Sequence, residues 1–261
     1  MEVIIRPDAE SATHLAARVI AREIRLKPKL VLGLATGRTM ERLYRHLVET
    51  HRKDDLDFSL LTTFNLDEYI GLPPDHPQSY RHYMNHHLFD HVNIDIRNTN
   101  LPDGMADDID AECVHYEQLI RDCGGIDLQV LGIGRSGHIG FNEPLSAMFS
   151  RTRAKALTPT TIEQNAPLFA DPREMPKRAI TMGVGTILDS KHCLMLVTGA
   201  EKASVIAKAV EGPVTSMISA TALQLHPDCR VIVDEAAASQ LENKEYYRWI
   251  FENEPEWQEF Q

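Results

Sequence analysis

The run Lys29-Leu30-Val31-Leu32-Gly33-Leu34 ends in Thr36-Gly37 and reads as a strand buried on both faces. It gives way to Met40 through Arg52, where Met40, Leu43, Tyr44, Leu47 and Val48 recur at helical spacing. The same switch repeats along the chain. Leu60 to Phe64 is strand-like and Ser79 to Leu88 helical, while Ala111 to Arg121 is helical and Ile126 to Leu131 a strand. Arg178 to Met182 and Lys191 to Val197 read as strands, with Lys202 to Val210 a helix between the second of these and Arg230 to Val233. Alternating units of this length imply a three-layer α/β fold, a mostly parallel Rossmann-like sheet with helices on both faces. No Pro/Gly/Ser linker or repeat divides the 261 residues, so they read as a single domain, 1–261, ending in an aromatic and acidic tail, 236–261. Pro73 to Pro77 reads as a loop, and Pro159 to Pro176 as a long irregular stretch of the kind that forms lids or binding loops.

The net charge of −11 gives no general attraction to nucleic acid or anionic lipid, so any bound phosphate must be held locally. The longest apolar runs, such as Leu194 to Val197, are far shorter than the ~20 residues a bilayer helix needs. Met1 to Glu10 offers no secretory signal. Cys113, Cys123, Cys193 and Cys229 form no CxxC pair and read as buried thiols of a reducing cytoplasm.

In open α/β sheets ligands sit beyond the carboxyl ends of strands, which directs attention to three junctions. The first, Gly33 to Thr39, offers tight-turning glycines, the free N–H groups of a helix start, the hydroxyls of Thr36 and Thr39, and Arg38. It is either a phosphate cradle or an ordinary turn capped by Thr39. At the second, a strand runs into Asn65-Leu66-Asp67-Glu68-Tyr69. Asp67 and Glu68 are placed for proton transfer if partly desolvated; the plainer reading has Asp67 capping a turn and Glu68 in solvent. The third holds Gly132-x-Gly134-x-x-Gly137, but Gly140 and Pro144 interrupt the helix a dinucleotide fingerprint requires. It presents instead His138 close to Glu143, an imidazole with a carboxylate partner. The pairs His82/His86 and His87/His91 lie on different faces and read as an exposed or interface histidine face, with no metal site expected.

Together Leu34-Ala35-Thr36-Gly37, Phe64 to Tyr69, Gly134 to Pro144, Ser150-Arg151-Thr152-Arg153 and Gly183 to Thr186 resemble the glucosamine-6-phosphate deaminase family, in order along nearly the whole chain. The resemblance implies conversion of D-glucosamine 6-phosphate and water into fructose 6-phosphate and ammonia, without cofactor or metal. It implies His138 as the ring-opening acid–base group with Glu143 as its partner, and Asp67 as the carboxylate that shuttles a proton between C2 and C1. Tyr80 is implied near the sugar, and Thr36, Gly37, Thr39 and Lys202 around the phosphate. Ser136 stands where the family usually has Asp or Asn beside the histidine, Arg38 where the phosphate turn has a second Gly, Met40 where it has Pro, and Pro167 where a loop arginine reaches the phosphate. Arg38 is therefore expected to replace that arginine.

A galactosamine-6-phosphate deaminase/isomerase, a lactonase and a silent sugar-phosphate effector-binding protein are the alternatives on such a scaffold. Against the last, the chain has no basic arm and retains Asp67, His138 and Glu143. Some members of the family are hexamers activated by N-acetylglucosamine 6-phosphate, and Ser146, Arg153 and Lys155 match that site; the alternative is a solvated basic strand. A homo-oligomer is expected, with hexamer and monomer both open, and the aromatic tail is expected at the same interface.

Overall fold

The computed structural model covers residues 1–261. Strand β1 (Glu2–Arg6) leads through the Asp8 cap, whose carboxylate accepts the Ser11 N–H at 2.7 Å, into α1 (Ala9–Leu26). Next come β2 (Val31–Leu34), α2 (Arg38–Asp54), β3 (Thr62–Asn65), β4 (Asp67–Tyr69), α3 (Tyr80–His87), β5 (Thr99–Asn100), α4 (Ile109–Asp122) and β6 (Leu128–Leu131). The second half holds β7 (Arg153–Ala156), α5 (Pro159–Asn165), β8 (Arg178–Thr181), α6 (Val184–Leu188), β9 (His192–Val197), α7 (Ala203–Glu211), β10 (Cys229–Asp234) and α8 (Lys244–Asn253).

Seven strands form one sheet in the order β1-β10-β9-β6-β2-β3-β5, every neighbouring pair parallel. Its central strands β2 and β6 are buried at every position, because helices cover both faces and leave no polar side to alternate with. No helix is long and apolar enough to cross a membrane.

Four expectations need correction. Arg178 to Thr181 is a strand but not part of the parallel sheet: β8 sits between β4 and β7 in a separate antiparallel sheet. The stretch from Pro159 begins with a helix, since Thr158 caps it and Pro159, with no N–H to lose, suits its first turn. Of the cysteines, Cys123 is exposed; the other three are buried, and all four are free.

The fourth correction concerns the tail, which folds onto its own chain. Trp257 is 1% exposed and donates through Nε1 to Glu2 (3.1 Å), Arg22 pairs with Glu259 (2.6 Å), and the Arg230 guanidinium covers the Trp257 ring. Glu211 accepts the Glu242 and Asn243 N–H groups and the Tyr247 hydroxyl, fixing the tail's start. The aromatic residues thus seal the β1 end of the large sheet, whereas Arg153 and Lys155 belong to β7 of the small one.

Candidate active site

Chain order reverses between β2 and β6. From β2 the chain steps outward to β3 and β5, and from β6 it steps the other way to β9 and β10. Two strand ends whose connections diverge leave a crevice. Here it is a cleft of about 310 Å³, lined by Thr36, Gly37, Arg38, Thr39, Asp67, Tyr80, His138 and Lys202 among others. Ser136 and Glu143 stand behind His138, bonded to it.

The β2–α2 turn is held open by two tyrosines. Gly37, at φ 106°, takes a conformation costly for any side chain, and its carbonyl accepts the Tyr83 hydroxyl at 2.8 Å. The Tyr44 hydroxyl donates to the Ala35 carbonyl. With those carbonyls turned away, the Thr36 and Thr39 side chains and the first N–H groups of α2 are left to the cleft. Lys202 reaches the same end from the turn before α7, donating to the Ile133 carbonyl at 2.8 Å. Burial pushes its ammonium down, Glu201 opposes this, and Arg135 adds to it.

Asp67 opens β4, buried at the cleft floor. Burial and the neighbouring Glu68 push its carboxyl up to about 8, and the Phe141 N–H, shared with Thr181 Oγ1, opposes them only weakly. Glu68 is not in solvent. It is 4% exposed and accepts the N–H groups of Tyr69 (2.8 Å), Tyr80 (3.0 Å) and Arg81 (3.0 Å), so it pins the start of α3. Burial still raises its carboxyl despite those three bonds. Through this pin Tyr80 is set against Phe141, the rings stacked with centroids 6.1 Å apart.

His138 turns Nδ1 inward, 2.8 Å from Glu143 Oε2 and 2.9 Å from Ser136 Oγ. Its Nε2 lies over Gly134, where an added Cβ would stand 2.0 Å away, so only glycine admits the ring in this place. Glu143 is buried, which acts to raise its carboxyl. The bond and charge of His138, then the Thr161 hydroxyl and the Thr158 N–H, outweigh burial and hold it at about 2. The site therefore combines one carboxyl poised near neutrality, one imidazole backed by a fixed carboxylate, and a cationic end suited to an anion.

A model of the glucosamine-6-phosphate isomerases/6-phosphogluconolactonase family matches residues 8–231. The chain belongs to that family. Within it, the glucosamine-6-phosphate deaminase of Hahella chejuensis is 51% identical over 250 residues, 96% of this chain and 95% of that one. The deaminase of Thermoanaerobacter pseudethanolicus is 46% identical over 245 residues, 94% and 97% of the two chains. A structure described as a monomeric glucosamine-6-phosphate deaminase superposes with a TM-score of 0.90 at 45% identity, covering 92% of this chain and 100% of that one. The 6-phosphogluconolactonase of Trypanosoma cruzi, at 21% identity and TM-score 0.74 over 92% of this chain and 97% of that one, shares the fold.

Among family positions that differ here, Pro167 lies in the short turn Ala166–Leu168, where its neighbour Leu168 rather than any cation lines the cleft. Arg38 does line it. Sequence reasoning passed over Arg135, Gln164 and Asn165, which also form its walls. Arg135 lay inside the glycine-rich junction and carried a positive charge at a strand end, a signal that was available. Gln164 and Asn165 had none, because only the fold of the Pro159 stretch turns them inward. Of the residues matched to an activator site, Arg153 donates to Ser146 Oγ (3.1 Å) and to Asn142 Oδ1 (2.9 Å), and Lys155 lies two residues further along the same strand.

Proposed function

We propose that this protein converts D-glucosamine 6-phosphate and water into D-fructose 6-phosphate and ammonia. The observation that carries the proposal is the placing of Asp67, His138 and a cationic, hydroxyl-lined turn around one cleft. The phosphate sits at the Thr36–Thr39 turn, held by its hydroxyls and N–H groups and by Lys202, Arg38 and Arg135. His138 Nε2 moves the proton between ring oxygen and anomeric hydroxyl that opens the pyranose, while Glu143 stabilises the imidazolium formed in passing. Asp67 then takes the C2 proton while the C1 carbonyl oxygen gains the proton that the substrate ammonium gives up, forming an enolamine; return of the proton from Asp67 to C1 leaves an iminium at C2 that water hydrolyses to the ketone and ammonia. A substrate ammonium beside Asp67 favours its ionised form, and a carboxyl near 8 otherwise both accepts and releases a proton at working pH. Neither step calls for a cofactor, and the free thiols are in keeping with a cytoplasmic enzyme.

A coupled assay tests this by following ammonia and fructose 6-phosphate together from glucosamine 6-phosphate, ammonia from its C4 epimer, and acid release from 6-phosphogluconolactone. Stoichiometric release from the first, exceeding the other two, is the expected result. Turnover of the lactone alone would overturn the reading.

For regulation, we infer that Ser146, Arg153 and Lys155 receive the phosphate of N-acetylglucosamine 6-phosphate in a homo-oligomer. Support comes from the clustering of Arg153 with Ser146 next to the Glu143 turn. Sigmoidal kinetics that turn hyperbolic with that ligand, and no longer do so in Lys155→Ala, are expected. Hyperbolic kinetics indifferent to the ligand would remove the inference.

A further inference from the structure

Glu143 is gripped from two sides, and only one of them is the histidine. Its Oε2 faces His138 Nδ1; its Oε1 accepts from the Thr161 hydroxyl at 2.5 Å, the Thr158 hydroxyl at 3.1 Å and the Thr158 N–H at 3.2 Å. Thr158 and Thr161 are the cap and first turn of α5, and the last turn of that helix presents Gln164 and Asn165 to the cleft. Asn165 also donates to the Tyr69 hydroxyl (3.1 Å), which lies 3.4 Å from that of Tyr80. The preceding strand grips the same turn further along, since Arg153 donates to Asn142 and Ser146 on either side of Glu143. One short segment thus touches the cleft at one end and fixes the carboxylate behind the histidine at the other.

We propose that Thr161 is a positioning residue for the acid–base pair: its hydroxyl fixes Glu143 Oε1 so that Oε2 is aligned on His138, and it ties that alignment to the helix lining the cleft. Of the three donors on Oε1 the Thr161 hydroxyl is the closest; without it the carboxylate is held there only by the Thr158 hydroxyl and N–H at 3.1 and 3.2 Å, which leaves its last torsion looser and Oε2 less closely aligned on the imidazole. Thr161 suits the task because it is 5% exposed, so water does not replace its hydroxyl when it is removed. Thr158 also caps the helix, and changing it would disturb α5 itself.

This inference rests on the deaminase reading, and the test separates the two. In Thr161→Val, which removes the hydroxyl at nearly constant volume, kcat should fall about 10- to 150-fold, the range for a lost hydrogen bond to a charged group, with KM within about twofold of wild type. Thr161→Ser should recover most of the loss. In a Glu143→Gln background the valine change should cost little more, because a residue acting through Glu143 has nothing left to position. Nitrogen-15 NMR of labelled histidine reads the same alignment without turnover: the His138 Nδ1–H signal should shift in Thr161→Val and return in Thr161→Ser. Thr161→Ala takes the place of the valine variant if that variant does not fold. Wild-type kcat in the valine variant, an equal loss in the serine variant, a rise in KM alone, or full additivity with Glu143→Gln would each overturn the proposal. An inactive wild type would refute the deaminase reading instead, and the NMR signal would still decide the role of Thr161.

Discussion

Asp67 lines the cleft and Glu143 stands behind the histidine that lines it; both are buried carboxylic acids, yet they are driven in opposite directions. Asp67 is pushed up to about 8 and Glu143 held at about 2. Burial raises both, and most of all Asp67, so it does not by itself explain why Glu143 ends low. Donors do. Glu143 has an imidazole on one oxygen and the hydroxyls and N–H of α5 on the other, whereas Asp67 has a shared N–H and a second carboxyl, Glu68, beside it. The pair teaches that a carboxyl raised towards neutrality and a permanent anion can stand close together in one desolvated region, with the state of each set by the groups it faces.

The strongest test of this contrast is Asp67→Asn. An amide keeps the shape and cannot carry a proton, so kcat should fall by about 10² to 10⁴ while calorimetry shows substrate binding nearly intact. Retention of more than about a tenth of wild-type kcat, a loss of only ~1.4 kcal/mol, would show that another group is the base.

The cations at the other end of the cleft differ in a related way. The Lys202 ammonium is tied to the Ile133 carbonyl, while Arg38 at the head of α2 is exposed to the cleft with no carboxylate partner in the chain. A guanidinium with nothing else to bind can pair with two oxygens of a phosphate. A hydrogen bond to a charged group is worth ~1.5–3 kcal/mol, so Arg38→Gly should lower kcat/KM by roughly 10- to 150-fold. A phosphate complex with Arg38 more than ~6 Å from every phosphate oxygen would exclude the contact.

How much of this was readable beforehand depended on the range of the forces involved. The β2–α2 and β6 units were legible because burial on both faces writes an apolar run into adjacent residues. By contrast, β4, β7 and β8 form a sheet whose partners come from distant parts of the chain, and Lys155 or Arg178 gives no sign of its neighbour. The first helix escaped notice because alanines interleave with Leu15, Val19, Ile20 and Ile24 on its buried face and blur their spacing. In the site, His138 with Glu143 stood out through closeness in sequence, but the donors from Thr158 and Thr161 arrive across a strand and a turn. Glu68 was misjudged for the same reason: the N–H groups that hold it belong to residues 80 and 81.

Stability against pH sharpens the contrast with a sign for each carboxyl. The folded state raises Asp67 from an ordinary 3.8 to about 8, so holding it costs stability progressively as pH climbs through that interval. Glu143 is lowered from 4.5 to about 2, so it contributes stability that is present above 4.5 and lost as pH falls towards 2. Asp67→Asn should accordingly melt higher than wild type at pH 8 and no differently near pH 4. Glu143→Gln should melt lower at pH 7, with the gap closing in acid. For a domain of this size each kcal/mol is worth about 2–4 °C, within reach of a thermal scan. Curves of the same sign for both variants would break the comparison.

The smallest effect is expected at Ser136, which shares His138 Nδ1 with Glu143. The serine oxygen is 2.9 Å from Nδ1, nearly as close as the carboxylate at 2.8 Å, but Nδ1 carries one proton and cannot serve both partners fully. A charged acceptor competes better than a hydroxyl, so the proton belongs to Glu143. Ser136 is left with a weak share of it, or with donating its own proton to Glu143 Oε2 across 3.5 Å. Either way it is a neutral partner of a bond that stands without it. Ser136→Ala should therefore cost only ~0.5–1.5 kcal/mol, roughly 2- to 12-fold in kcat, and should leave the melting temperature near wild type at neutral pH. Ser136→Asp is the sharper arm. It places a second anion against Glu143, and the like-charge repulsion raises both carboxyls unless the imidazole is charged to compensate. A loss in Ser136→Ala as large as that in Asp67→Asn would mean that the hydroxyl, not the carboxylate, orients the histidine, and the assignment of Glu143 as the fixed anion would fail.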